Sequence, residues 1–568
     1  MNTITTSKAR CRDCYKCIRS CPVKAIGLKD GQAWVEEEKC ILCGRCIGAC
    51  PQKAKSTISQ IPRVEELLAQ GDPIVFSLAP SYLAATSLAT PGKLLAAMGE
   101  LRPLRIEETA LGAELIAKAY YQTVSEGKRP TVISSCCPVV VNLVEKYFPK
   151  LLPCLAGFIS PMAAHGRLIK EELGDATKVV FVGPCLAKKA EPNGSDLENP
   201  IDAVLTFEEL ESWLKTKQIE GELLPDREPD RRSAYAGVFP LKQGVLKTAG
   251  LNDGLDREIL SITGIEECLE TFQDLELGFI KPRFIEAMAC KGGCIGGPAM
   301  GNSLGVSARR ERLFHFSQAP CAGEAQNTLP DAKLRKKYQP VIRTRPLPTE
   351  ENIQEILRMT GKNSPEDETN CGGCGYPSCR EKAVAVFQGL AELEMCIPYM
   401  KERAESFSNA IVDTTLNAII VVDKAMVIQE FNPSAHGLFN PKNIPTKGTP
   451  LEVFFDPCDF QKVWETQEVV VQIKKYEDYG LITRQIIYPL SKYGVVIGII
   501  ADITSEEKWK SSNNTIRSEA LDRASRVIRE QMRVVQNVAG LLGESTANTK
   551  ATLLELIEIM NESEAPER

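Results

Sequence analysis

Cysteine usage constrains this chain more than any other feature. It has 21 cysteines in 568 residues but only three histidines, His165, His315 and His436, far apart in sequence. Met1 to Arg10 lacks the apolar stretch of a secretory leader, and no run is long and apolar enough to span a bilayer. A cytoplasmic chain is therefore expected, and there clustered thiols read as metal ligands rather than disulfides. Scarce imidazole argues against histidine-built zinc, copper or non-haem iron sites. Iron–sulfur clusters, or zinc held by cysteine alone, remain. A net charge of −6, with 43% hydrophobic and 25% charged residues, favours neither nucleic acid nor a membrane surface as partner.

Residues 1–56 carry one unit twice: Cys11-x2-Cys14-x2-Cys17-x3-Cys21-Pro22, then Cys40-x2-Cys43-x2-Cys46-x3-Cys50-Pro51. This is the spacing of bacterial two-cluster ferredoxins, in which the fourth cysteine of each run serves the other cluster. One [4Fe-4S] cubane is expected on Cys11, Cys14, Cys17 and Cys50, and another on Cys40, Cys43, Cys46 and Cys21. Short loops should turn backbone N–H groups toward the sulfurs. Four-cysteine zinc is the rival reading, and the doubled pattern disfavours it.

The next region, 57–322, alternates apolar strand-like runs (Pro73–Leu78, Thr131–Ser134, Lys178–Val182, Ala203–Thr206) with helical patterns (Gly112–Ser125, Val139–Tyr147, Met162–Leu173, Phe207–Leu214). The alternation predicts parallel α/β sheets. Three segments in this region draw the eye: Ser134-Ser135-Cys136-Cys137-Pro138, Gly183-Pro184-Cys185-Leu186-Ala187-Lys188-Lys189-Ala190-Glu191, and Glu286-Ala287-Met288-Ala289-Cys290-Lys291-Gly292-Gly293-Cys294-Ile295-Gly296-Gly297. The first two follow predicted strands directly, where such folds place ligands.

Residues 323–348 read as a polar connector. In 349–405, Thr349 should cap a helix through Met359, with Gly361 as its stop. Cys371-x2-Cys374-x4-Cys379, completed by Cys396, resembles the small [4Fe-4S] domain found beside redox enzymes; zinc is the alternative. Residues 406–508 resemble a PAS domain, an antiparallel sheet with helices on one face that closes at Asp502-Ile503-Thr504. His436 there is read as structural rather than as a haem ligand. In 509–568, Leu521, Ala524, Ile528, Val535, Val538 and Leu542 follow a heptad seam, and Ala551–Met560 predicts a second helix. Simple packing and dimerisation or signal output are equally good readings of that segment. Cys154, Cys268, Cys321 and Cys458 have no ligand spacing, and buried structural thiols are expected for most of them. Cys154 stands out for its closeness to the first segment.

Taken in order behind the ferredoxin pattern, the three cysteine segments closely resemble the active-site signatures of the [FeFe]-hydrogenase large subunit. The resemblance implies a cubane on Cys137, Cys185, Cys290 and Cys294, with Cys294 bridging to a two-iron CO/CN unit. It further implies Lys188 as donor to a cyanide, Cys136 as the thiol that passes protons, and Met288 as an apolar neighbour. Glu191 would orient Lys188, and Gly183, Pro184 and Gly293 would line the cofactor. Departures are informative. Gly183 stands where catalytic members have methionine and Val140 where they have tryptophan. Tyr120 and Thr123 fall at the two glutamates of the family's proton path, and Ala156 at its serine. Gly296-Gly297-Pro298 stands where a longer glycine run is usual.

A relay without carboxylates should be slow. With a PAS-like region at the far end, the whole resembles the sensory subgroup of the family, and implies slow, reversible hydrogen turnover whose redox state reaches the PAS region. The partners implied are H2 and protons, a ferredoxin-like electron carrier, a separate kinase or phosphatase, the maturation proteins that make the two-iron unit, and a second copy of the chain. The rival readings are a flux-carrying, ferredoxin-linked hydrogenase and a hydrogenase-like electron-transfer or assembly protein without the two-iron centre. A histidine kinase is disfavoured, because no histidine follows His436.

Overall fold

A computed structural model describes residues 3–193, 200–251, 258–317, 328–341, 345–539 and 555. The chain forms two compact units, Met1–Met400 and Lys401–Arg568. Among the described residues no helix is long and apolar enough to cross a membrane.

The first unit begins with two short antiparallel pairs, Ile4–Thr6 with Lys55–Thr57 and Ile26–Lys29 with Gln32–Val35. Between them lie two five-residue helices, Lys16–Ser20 and Arg45–Ala49. The sequence repeat is a repeat of backbone shape too. Left-handed residues recur at Asp13 and Leu42, Tyr15 and Gly44, Lys24 and Lys53, each pair offset by 29 positions like the cysteines. These turns wrap the chain around the ligand positions.

Two parallel sheets follow. One orders its strands Arg105–Glu108, Ile74–Leu78, Lys178–Gly183, Ala203–Thr206, and the other Ile259–Thr263, Phe284–Met288, Val132–Ile133. The inner strands Ile74–Leu78 and Phe284–Met288 are buried at every residue, as strands covered on both faces must be. The chain leaves Val132–Ile133, Lys178–Gly183 and Phe284–Met288 straight into the three cysteine segments. All three segments therefore lie at the carboxyl ends of parallel strands, the place such folds use for ligands. The helices Ala110–Glu126, Pro138–Tyr147, Pro161–Leu173 and Phe207–Thr216 cover the sheets.

A buried polar cluster ties the first sheet to helix Pro161–Leu173. Ser77 Oγ is 2.8 Å from both Thr109 Oγ1 and His165 Nδ1, and His165 Nε2 is 3.2 Å from Glu107 Oε2. Glu107 also meets Arg105 at 3.3 Å and Arg231 at 3.6 Å. Burial alone would raise the Glu107 pKa; His165, Arg231 and Arg105 outweigh it and hold it below the usual glutamate value.

The segment from Arg345 to Cys396 packs on the ferredoxin-like part rather than standing apart. Thr349 caps helix Glu350–Met359, with Asn352 completing the capping box. Tyr376, Leu390 and Met395 share one apolar cluster with Ile18, Leu28 and Val35. Leu28 N donates to Leu390 O at 3.0 Å, and Asp30 N to Glu392 Oε1 at 2.7 Å. The connector is not a free tether: Leu334, in short helix Asp331–Leu334, is buried in the cluster of Tyr120 and Phe158.

In the second unit, five antiparallel strands run in the spatial order Ile428–Phe431, Ala418–Asp423, Val495–Asp502, Leu481–Leu490, Val470–Tyr476. Helices Pro433–Phe439 and Cys458–Thr466 cover the sheet through Phe439, Phe455, Phe460 and Tyr476. Asp502 Oδ1 accepts from Thr504 N at 2.8 Å, Ile503 N donates to Ile482 O at 2.9 Å, and Ile482 N donates to Thr504 Oγ1 at 2.8 Å. These bonds seat the start of helix Thr504–Ala539 on the sheet. The seam side chains Leu521, Ala524, Ile528 and Val535 lie on this helix. The side chains of Val538 and Leu542, and the helix expected at Ala551–Met560, lie outside what is described.

Candidate metal centres

Four thiols of the parallel-sheet region line one cavity: Cys137, Cys185, Cys290 and Cys294. The cavity holds about 820 Å³ of space free of protein atoms, part of it open. Cys136, Lys188, Met288 and Pro184 line it as well, with Phe181, Met162 and Phe239 among its apolar walls. Gly183 does not itself line the cavity. A Cβ there would lie 2.6 Å from the Phe181 ring, so this ring fills the space that a side chain at 183 would take. Val140 is buried in an apolar cluster, and its neighbour Val139 lines the cavity instead.

The glycines of the third segment answer to close approach. Gly293, like Gly183, does not itself line the cavity; its φ is +92° and a Cβ would lie 2.2 Å from Pro240 O, so a side chain there would push the loop away from Pro240. Among the described residues Lys188 is the one charged side chain lining the cavity. Its Nζ donates to Glu191 Oε2 at 2.9 Å and stands 5.6 Å over the Phe181 ring. Burial works against this ammonium, but Glu191, Cys185 and Cys294 outweigh it and raise its pKa. Ser81 also lines the cavity, and its buried hydroxyl has no hydrogen-bond partner.

This wall fits an anionic iron–sulfur group. Burial, with Cys137 nearby, pushes Cys185 up to about 11 despite Lys188, so the thiols need a metal to ionise. An orphan hydroxyl and an ammonium offer donors to its ligands. Among the described residues no three or more His, Cys, Asp or Glu side chains converge closely enough for a single metal ion. Thiols spread around a cavity suit a polynuclear cluster better than tetrahedral zinc.

Around Cys136 the groups divide into two sets. Tyr120 Oη accepts from Ser135 N at 3.0 Å, and Ser135 Oγ and Tyr338 Oη both donate to Phe158 O, at 2.9 and 2.7 Å. Thr123 is turned away, donating to Ala119 O of its own helix at 2.8 Å, and Ala156 is buried. On the other side stands Glu286, a fully buried residue that sequence reasoning missed. Burial, then the charges of Cys137 and Glu286, push the Cys136 thiol up to about 12. Glu286 accepts from Ser261 Oγ at 2.6 Å and from Val245 N at 3.0 Å. An acidic residue inside the otherwise apolar run Phe284–Met288 was the available signal.

Cys11, Cys14, Cys17 and Cys50 line a second cavity together. Cys21, Cys40 and Cys43 all lie near enough for their charges to bear on Cys46. Backbone N–H groups reach the sulfurs in matching places: Ala25 N to Cys21 Sγ at 3.2 Å, and Ala54 N to Cys50 Sγ at 3.3 Å. The loop at Cys43 abuts the large cavity. A Cβ on Gly44, where φ is +76°, would lie 2.6 Å from Leu186 and 2.9 Å from Pro298. Arg45 pairs with Glu266 beside it. Helix Pro138–Tyr147, which starts at Cys137, holds the same loop through Lys146 Nζ to Cys40 O at 2.8 Å and Tyr147 Oη to Lys39 O at 2.7 Å.

Cys371, Cys374, Cys379 and Cys396 line a further cavity with Lys362 and Lys382. Of the cysteines without ligand spacing, Cys268 is buried, Cys154 is half-buried, and Cys458 is exposed rather than buried as expected for most of them. Cys321 lies outside the described residues. His436 is held by Asn440 Nδ2 at 3.1 Å and Thr446 Oγ1 at 3.3 Å and packs edge-on to Phe431, a structural placement.

Comparison with known proteins agrees with this geometry. Residues 72–298 match the family described as iron only hydrogenase large subunit, C-terminal domain. Residues 10–55 match a 4Fe-4S dicluster domain, and 367–398 a putative Fe-S cluster domain. Iron hydrogenase 1 of Clostridium pasteurianum is 28% identical over 52% of this chain and 64% of its own, so this chain spans less than two thirds of that relative. The periplasmic [Fe] hydrogenase large subunit of Nitratidesulfovibrio vulgaris is 27% identical over 55% of this chain and 89% of its own. A cytosolic Fe-S cluster assembly factor NAR1 homolog of Schizosaccharomyces japonicus is 36% identical, over 18% of this chain and 23% of that protein. A solved [FeFe]-hydrogenase aligns over 54% of this chain and 96% of its own at 16% identity, with a TM-score of 0.39. Over residues 72–298 the chain is similar to the iron-only hydrogenase large subunit, and iron–sulfur sequence flanks that region on both sides.

Proposed function

We propose that this chain is a hydrogen-responsive protein: a slow, reversible hydrogenase-like centre whose redox state is read out through a PAS domain. The cavity wall carries the reading. It joins four thiols, the ammonium of Lys188, the unpartnered hydroxyl of Ser81 and the spare thiol of Cys136 around apolar space. Cys137, Cys185, Cys290 and Cys294 would hold a cubane and, through Cys294, a two-iron CO/CN unit. Bound there, that unit supplies the heterolytic splitting of hydrogen.

The chain's own residues do the rest. Lys188, braced by Glu191, and Ser81 offer donors to anionic ligands. Phe181, Met162, Met288 and Phe239 keep water out. Cys136 holds a proton at Sγ, because burial keeps the thiol un-ionised at neutral pH. Glu286 is the carboxylate placed to exchange that proton, and Ser261 continues from it toward exposed Gln243, whose N donates to Ser261 Oγ at 3.3 Å. Tyr120 is fully buried and Tyr338 half-buried, and loss of solvation raises the pKa of both hydroxyls. They are poor proton carriers where carboxylates would serve, which supports low turnover.

Electrons would leave through the Cys43 loop to the ferredoxin cubanes and the Cys371–Cys396 cluster, four cubanes in all. The strand order of the second unit and the seat made by Asp502-Ile503-Thr504 support the PAS reading. Helix Thr504–Ala539, with Trp509, Ile516, Val527 and Val534 exposed, would pair with a second copy and pass the state to a separate signalling protein.

The test is infrared spectroscopy of anaerobically reconstituted chain loaded with a synthetic two-iron cofactor. CO and CN bands that shift under hydrogen are expected. A full set of cubanes without such bands would sink the proposal in favour of the second reading, a cubane-only electron-transfer or assembly factor. The match to the NAR1 homolog favours that alternative.

A further inference from the structure

Lys362 and Lys382 are 7% and 5% exposed and line the cavity of Cys371, Cys374, Cys379 and Cys396. Lys362 Nζ donates to Cys396 Sγ at 3.4 Å, and to Thr360 O and Oγ1 at 3.0 and 3.3 Å. Lys382 Nζ donates to Leu393 O at 3.0 Å. Among the described residues neither pairs with a carboxylate. Asp367, whose charge feels Lys362, is exposed and held by Ser364. Two buried ammoniums facing each other are unfavourable unless an anion lies between them.

The other thiol sets lack this arrangement. Lys188 is neutralised by Glu191. Lys55 donates to Thr6 Oγ1, and its charge bears on both ferredoxin sets, on Cys17 and on Cys46. Asp13 lines the Cys11–Cys50 cavity beside Lys55, the one buried cation there, and the other two cations, Arg12 and Lys16, are exposed.

Resting on the reading that Cys371–Cys396 holds a [4Fe-4S] cluster, we infer that Lys362 and Lys382 make it the most easily reduced cubane of the chain and the resting place of its electrons. A cubane that gains an electron gains one negative charge, and two fixed cations favour that state over the oxidised one. The path to it is short. Arg19 Nη1 donates to Gly373 O at 3.2 Å while its Nη2 donates to Cys14 O at 2.9 Å. A Cβ on Gly375 would lie 2.9 Å from Ile18.

Hydrogen yields two protons and two electrons. One electron passes from a ferredoxin cubane, which is oxidised, to this cubane, which is reduced. The second stays on the ferredoxin cubane, and the protons leave to solvent. Cys396 directly precedes helix Ile397–Thr414, so the added negative charge arrives at the favourable, amino-terminal end of that helix.

The experiment is a dithionite redox titration of the full reconstituted chain without the two-iron unit, followed by electron paramagnetic resonance. One cubane signal should appear at a higher potential than the rest and be missing in Cys371→Ser. In Lys362→Met and Lys382→Met that signal alone should move lower, each change making reduction at least about tenfold less favourable, roughly 59 mV for one electron. Glutamine variants, which keep a donor and remove the charge, serve if the methionine variants fail to load. The inference is overturned if the highest-potential signal survives in Cys371→Ser, or if neutralising both lysines leaves every midpoint in place. Equal iron content in the wild type and in Cys371→Ser would instead defeat the cluster reading itself.

Discussion

The proposed proton path through Cys136 depends on one carboxylate. Glu286 is buried in the middle of a strand whose other residues are all apolar, and Ser261 is its outward contact. Glu286→Gln should lower hydrogen–deuterium exchange about 10²-fold while leaving the infrared bands of the loaded protein in place. Cys136→Ala should nearly abolish exchange, and unchanged exchange in either variant would remove that residue from the proton path. The cysteine segments were legible because ligand spacing is a property of sequence. The role proposed for Glu286 was not, although it opens the third segment, because its meaning comes from burial near a thiol, Cys136, 150 positions earlier in the chain. Gly183 reads as a missing methionine until Phe181 is seen to fill the gap.

At the scale of elements, the first sheet and helix Pro161–Leu173 are joined by buried hydrogen bonds of His165 to Ser77 and Glu107 as well as by apolar contact. His165→Leu should cost about 1–3 kcal/mol, because it removes a buried hydrogen-bond partner from both Ser77 and Glu107. The sign with pH follows from the depressed Glu107 pKa. Its contribution is complete above the ordinary glutamate value and is lost as pH falls through the lower, folded-state value. The urea midpoint of the wild type should therefore fall on acidification more steeply than that of Glu107→Gln; equal slopes would count against it. Unbroken apolar runs announced four of the seven described parallel strands but not Arg105–Glu108, Ile259–Thr263 or Phe284–Met288, and Thr349 announced its helix. This polar knot was silent, since Ser77, Glu107, Thr109 and His165 converge only once the sheet has formed.

For the whole molecule, order along the chain and neighbourhood in space differ. Read linearly, the ferredoxin-like and Cys371–Cys396 parts are opposite ends of the redox region. Folded, they share a core through Ile18, Leu28, Tyr376 and Met395. A chain ending at residue 341 should expose that face, so its ferredoxin cubanes should bleach in air faster than in the full chain; equal rates would show that the shared core does not protect them. Nothing in the spacing of cysteines could have announced this contact, because apolar clusters carry no address. Removing residues 504–568 should leave a monomer if the long helix pairs two copies, which light scattering would settle.

The two halves of the ferredoxin-like part are copies, offset by 29 residues in cysteines and in backbone turns alike. At one equivalent position a side chain is lost altogether: Tyr15 in the first half, Gly44 in the second. The bare glycine lets its loop lie against Leu186 and Pro298, where a tyrosine has no room. Gly44→Ala should keep all its iron yet slow electron entry from the cavity cubane. A duplicated module would otherwise accept current equally from either end. On the proposed electron path, one absent side chain would make it a wire with a plug on one side only.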